Sequence, residues 1–149
     1  MSGDKTAAIL ALALAACGAA AAPRASCPRR LGDAMDEAGR RFNRAERAVL
    51  AGRWELASYD LAELAEVFTD DLADSSWNGR PQLARLAQQF STMQVAALRD
   101  AARARDRQSF EHAVSDAAHA CNECHKAADQ AYIQISDRLG ADAPVVGQP

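Results

Sequence analysis

Five consecutive residues, Cys121-Asn122-Glu123-Cys124-His125, set two thiols and an imidazole in the order that attaches a c-type haem. On a helix Cys121 and Cys124 stand one turn apart on one face, within reach of the two vinyl groups of a single porphyrin. Thioether bonds would fix the macrocycle, and His125 would offer its imidazole to the iron as proximal ligand. A zinc site on the same three residues needs a further ligand pair at finger-like spacing, and the sequence offers none. A thioredoxin-type dithiol belongs in a βαβ setting, and the chain shows no convincing strand. The expected cofactor is therefore haem c, with its iron.

The elements that must position this group are helical. A chain of 149 residues has room for one domain. Apolar residues make up 49%, much of it alanine, and aromatics only 5%, which suits closely spaced helices around a filler such as a porphyrin. A formal net charge of −3 leaves no dominant basic surface, so nucleic acid is excluded as a partner.

Thr6 to Ala16 form an apolar run behind Lys5 that is too short to span a bilayer and reads as the core of a secretory signal. Leu14-Ala15-Ala16-Cys17 resembles a bacterial lipobox, so residues 1–17 are expected to form a signal peptide with Cys17 as the lipidation site. Ordinary cleavage within Ala19–Ala22 is the alternative and would discard Cys17, although Pro23 disfavours a cut after Ala22. Both routes lead to the periplasm, the first with a lipid anchor in the outer membrane. Residues 18–29 are then a flexible leader in which Cys27 is an incidental thiol.

From Leu31 the helical period takes over, and residues 30–139 are expected to form the haem-binding bundle. Leu31, Met35, Ala38, Phe42, Ala45 and Val49 form the inward stripe of a first helix, with Arg40, Arg44 and Arg47 in water. Gly52 marks a break, and Trp54, Ala57, Leu61, Leu64, Ala65, Phe68 and Leu72 mark a second stripe. After a loop at Ser75–Arg80, Pro81 suits the first turn of a third helix burying Leu83, Leu86, Phe90, Met93, Ala97 and Ala101. Asp106 caps a fourth, expected to reach about Arg138, where Gly140 stops it; residues 140–149 are a disordered tail. Four helices with short connections predict an all-α fold, an antiparallel four-helix bundle with covalently attached haem.

On the fourth helix Phe110, Val114, Ala117, Cys121, Cys124, Ala128, Tyr132 and Ile135 share one face, with His125 at its edge. Ala117, Ala118 and Ala128 leave room there for a flat ring. His112 and His119 fall on nearly the opposite face and point to solvent. A sixth iron ligand must come from another helix. Met35 and Met93 both lie on inward stripes, and Met35 is favoured because Ala34 and Ala38 beside it permit close approach. Ordinary core filling is the competing account of either methionine. Arg41, on the margin of the first stripe, is placed either to meet a haem propionate or simply to be solvated.

A Cys-x-x-Cys-His run on the last of four helices resembles the cytochrome c′ family, the class II c-type cytochromes, over roughly Leu31 to Arg138. Class I cytochromes carry the motif near the N-terminus. The Arg53-Trp54-Glu55-Leu56-Ala57 segment, followed by Glu63 and Glu66, also looks like a subgroup of small bacterial cytochromes. The resemblance implies a proximal His125 and a distal residue from the first helix, where Met35 stands. Family members with methionine there look like plain electron carriers; those with an apolar group are five-coordinate and bind nitric oxide or carbon monoxide. Many members carry an arginine four residues after the haem histidine, and here that position is Asp129. The expected function is thus a non-enzymatic monohaem cytochrome transferring one electron between redox partner proteins in the cell envelope. Gas binding is the alternative. The resemblance also implies a homodimer through the first two helices.

Overall fold

A computed structural model describes residues 31–72, 80–141 and 145–146 of the chain. The expected signal peptide, Cys17, Cys27 and most of the Ser75–Arg80 loop lie outside the described residues. The fold is all-α. Helix α1 (Leu31–Leu50) ends in a tight turn at Gly52, whose φ of 69° a side chain would oppose. Helix α2 (Trp54–Glu66) runs on into a π-helical turn, Val67–Asp71. A third rod consists of α3 (Pro81–Gln89), a π-helical segment (Phe90–Val95) and α4 (Ala96–Ala104); α5 spans Arg107–Ala127. Pro81 occupies the first turn of α3, where its missing N–H costs nothing. Beyond α5 a two-residue ladder pairs Ile133 with Val146 and Gln134 with Val145, antiparallel.

Helix α1 packs along α2, α2 against α4, and α4 against α5, while α3 and the π segment lie on α5. Alanine makes this close packing feasible: Ala34, Ala38, Ala45, Ala57, Ala102 and Ala117 are all buried. The α1 and α2 stripes face inward as the period requires. The third rod departs from it. Met93 is 56% exposed and Ala97 is exposed too, while Val95 and Leu98 are fully buried in their place. The cause is the π segment, whose i→i+5 bonding admits an extra residue and shifts the inward face after Phe90, although Ala101 stays buried as expected, beside Ala102. Met93 therefore leaves the inward face, its sulfur accepting from Gln89 Nε2 at 3.7 Å.

Two buried carboxylates fix the helices against each other. Asp60 on α2 has no exposed surface; Arg41 Nη1 donates to its Oδ1 at 3.2 Å, and Arg44 Nε stands 3.4 Å from its Oδ2. The same Arg41 guanidinium reaches Glu37 at 2.6 Å and Glu63 at 3.2 Å and lies over the Tyr59 ring. Glu46 on α1 is 3% exposed and accepts the Gly140 N–H at 2.7 Å. Helices α1 and α5 do not run in close backbone contact, and the segment after α5 links them, with Ile135 and Leu139 packed on the core.

Removing Arg41 would leave Asp60 buried with one poorly placed partner. Arg41→Ala is expected to cost about 3 kcal/mol in urea unfolding, whereas Arg40→Ala, at an exposed pair, should cost less than about 0.5 kcal/mol. Glu46 gives a pH dependence. Burial pushes its carboxyl from the ordinary 4.5 up to about 7, against the Gly140 N–H and the Arg47 charge, which pull it down. The folded chain thus holds this proton more tightly than the unfolded one. The associated stability is fully present below about pH 4.5 and lost as the pH rises through about 7. Wild-type protein should lose up to about 3 kcal/mol relative to Glu46→Gln across that window, read from paired unfolding curves.

Candidate functional site

Helix α5 starts where Asp106 Oδ1 accepts the Ser109 N–H at 3.1 Å, as an N-cap should. Its inward residues Phe110, Ala113, Val114, Ala117 and Ala118 are buried, and Cys121 and Cys124 continue that face, half-buried against the core. The two cysteines are not bonded to each other. Burial, with Cys124 adding to it, pushes the Cys121 thiol up to about 12, and burial raises Cys124 as well. Although Cys121 as a residue is only half-buried, both sulfurs stay protonated at neutral pH. A redox dithiol needs the opposite, a lowered pKa that yields thiolate. Among the described residues no three His, Cys, Asp or Glu side chains gather as metal ligands.

His125 is half-buried, and burial lowers its pKa while the bond to Ile133 opposes the shift. Its Nδ1 lies 3.1 Å from the Ile133 carbonyl oxygen. A carbonyl only accepts, so Nδ1 carries the proton and donates, which leaves the lone pair on Nε2. An imidazole held by its Nδ1–H with a basic Nε2 is oriented as a metal ligand must be. The donor set of two protonated thiols and this imidazole fits covalent haem attachment.

The acceptor is in place because α5 stops early. The helix expected to reach Arg138 ends at Ala127, with the Gln130 N–H bonded to the His125 carbonyl at 2.8 Å and the Asp129 N–H to Lys126 at 3.2 Å. That is a Schellman closure with Asp129 in the left-handed position at φ 60°. Aspartate tolerates this conformation better than most side chains, and the expectation looked for glycine. Gly140 is no helix stop; it lies in a turn at φ 76° and serves Glu46. Tyr132 accordingly leaves the motif face and is 55% exposed. Ile135 returns to the core by the reversed chain, where Asn122 grips it twice: Nδ2 donates to its carbonyl at 3.0 Å and Oδ1 accepts its N–H at 2.8 Å.

Arg80, at the start of α3, binds the end of α5 through Asp129 Oδ2 at 2.6 Å and the Ala127 carbonyl at 3.4 Å. Asp129 thus ends the helix and receives an arginine from another element. Met35 is half-buried on α1 and borders the same apolar cluster as Cys121 and Cys124. Arg41 faces α2, committed to Asp60, Glu37 and Glu63, so the propionate expectation loses its donor. His112 and His119 are exposed, as expected from the helical wheel. A hollow of about 670 Å³ between α4 and α5, lined by Ala97, Asp100, Ala101 and His112 among others, shares no residue with the motif. No helix among the described residues is long and apolar enough to cross a membrane.

Asn122, Arg80 and the Ile133 carbonyl were invisible to motif reading; Asp129 carried a signal in its tolerance of the left-handed region. No family model, curated protein or solved structure matches the chain. The helix stop is testable by itself. Asp129→Val places a β-branched side chain at positive φ and should lose about 1–2 kcal/mol of stability in urea titration. Asp129→Gly should stay near wild type, because relief of the backbone offsets loss of the exposed Arg80 pair.

Proposed function

We propose that the chain is a monohaem c-type cytochrome that carries single electrons in the bacterial cell envelope and performs no substrate chemistry. The observation that carries this is the imidazole of His125, held through Nδ1 with Nε2 free, following two unbonded thiols one helical turn apart. Cys121 and Cys124 would hold haem c by thioethers, His125 would ligate the iron, and Met35 on α1 would be the second axial ligand. Bound there, the haem supplies a centre that cycles between two oxidation states. The chain's own part is to keep water away with the Phe110–Ala118 face and to hold the imidazole still. Six-coordinate iron reorganises little on gaining an electron, which suits a carrier.

An antiparallel four-helix bundle is the arrangement that best accounts for the contacts between chain ends. Arg80 before α3 meets the end of α5, and Arg105 after α4 meets Glu55 at the start of α2. The N-terminal pattern supports a periplasmic protein anchored to the outer membrane through lipidated Cys17, working with redox partner proteins, as monomer or homodimer.

Met35 is only half-buried, at the border of the core, and this supports the five-coordinate, gas-binding alternative as the second reading. Two measurements decide. Mass spectrometry of the exported protein should show one haem added and the leader removed. Its optical spectrum should be low-spin with a weak near-infrared band of sulfur ligation that Met35→Ala abolishes. A high-spin ferrous form that takes carbon monoxide at once would replace the carrier by a gas binder. A colourless protein with both thiols open to alkylation would overturn the haem reading altogether.

A further inference from the structure

Asn122 occupies a position within Cys-x-x-Cys-His that has no part in attachment, yet its side chain is fully engaged. Both ends of its amide bond the backbone of Ile135, at 3.0 Å and 2.8 Å, across a sequence gap of 13 residues. This pair of bonds is part-buried, and each satisfies a different group of one residue, so the amide is fixed in orientation as well as place. Two residues upstream, the Ile133 carbonyl meets His125 Nδ1. Asn122 and His125 lie three apart, on neighbouring positions of one α5 surface. The clamp and the histidine contact therefore act on the same three-residue stretch of reversed chain.

We propose that Asn122 is a positioning residue for the His125 imidazole: by clamping Ile135 it holds the Ile133 carbonyl on Nδ1 and so sets the donor strength of Nε2. The proposal rests on the haem reading above and extends it to the tuning of the iron. A held Nδ1–H···O bond gives the imidazole some imidazolate character, which strengthens Nε2 as a donor and favours ferric over ferrous iron. Without the clamp, Ile135 loses both of its bonds to α5, and the Ile133 carbonyl is held by the histidine bond, by the Ile133 N–H on the Gln130 carbonyl at 2.9 Å and by the short ladder to Val145 and Val146. The carbonyl then drifts, the bond lengthens, and the ferrous state gains.

The test uses exported protein with haem attached. Asn122→Ala removes both bonds, and Asn122→Asp keeps the acceptor for the Ile135 N–H while losing the donor to its carbonyl. Relative to wild type, Asn122→Ala should show a higher midpoint potential and, by NMR of the low-spin ferrous protein, faster solvent exchange of the His125 Nδ1 proton. Its Ile135 amide should exchange hydrogen about tenfold faster or more. Asn122→Asp should recover the Ile135 amide protection, while its added negative charge pulls the potential down. Haem attached with potential and Nδ1-proton exchange unchanged in Asn122→Ala overturns the positioning role and leaves the haem reading standing. A wild-type protein without haem overturns both. If Asn122→Ala does not accumulate, the neutral Asn122→Leu, which removes both bonds at similar volume, with unchanged potential and Nδ1-proton exchange overturns the role in the same way.

Discussion

Two backbone hydrogen bonds, from Asp129 to Lys126 and from Gln130 to His125, close α5 directly behind the Cys-x-x-Cys-His run. The left-handed Asp129 between them turns the chain back on itself. Had α5 continued, Ile133 would lie about 12 Å further along the axis than His125, and its carbonyl would be spent within the helix. The reversal instead delivers that carbonyl to His125 Nδ1 and Ile135 to Asn122. It also exposes the last α5 carbonyls, one of which Arg80 takes up. The orientation of the imidazole follows from where a helix ends.

The same reversal supplies a wall. Helices α1 and α5 do not pack along each other, and the chain beyond Asp129 joins them from Asn122 at one end to Glu46 at the other. Across the molecule, Asp60 and Arg41 tie α1 to α2. A core rich in alanine and poor in aromatics offers few large knobs to fix how far one helix slides past another. In such a core the buried polar contacts are the discriminating ones, because leaving any of them unmade is costly.

Much of this was legible in the chain. The α1 stripe from Leu31 to Val49, the opening Pro81 of α3 and the Asp106 cap all emerge from periodicity and local hydrogen-bonding chemistry, and all are observed. The third rod was misread at Met93 because a one-residue π insertion leaves no mark in a period fitted with 3.6. The end of α5 was placed too late because its stop is an aspartate, and because Ala128, Tyr132 and Ile135 keep helical spacing by coincidence. Glu46 and Asp60 could have been found. Each sits on an inward stripe, Glu46 four after Phe42 and Asp60 three after Ala57, and an acid there needs a partner. The Asn122 clamp could not, since nothing local to residue 122 announces a partner at 135.

On the proposed haem reading, the choice between a carrier and a gas binder turns on the distal side, and hence on α1. On that reading Met35 would have to reach an iron held by α5, a helix with which α1 makes little close backbone contact. The position of α1 is therefore set at second hand, by the Asp60–Arg41 tie through α2 and by the Glu46–Gly140 bond through the reversed chain. Arg41 lies about 9 Å along α1 from Met35, and Glu46 about 16 Å. Neither residue would contact the haem, yet both would govern how closely Met35 approaches it. Coordination at the iron would then be a property of these two buried polar contacts as much as of the methionine.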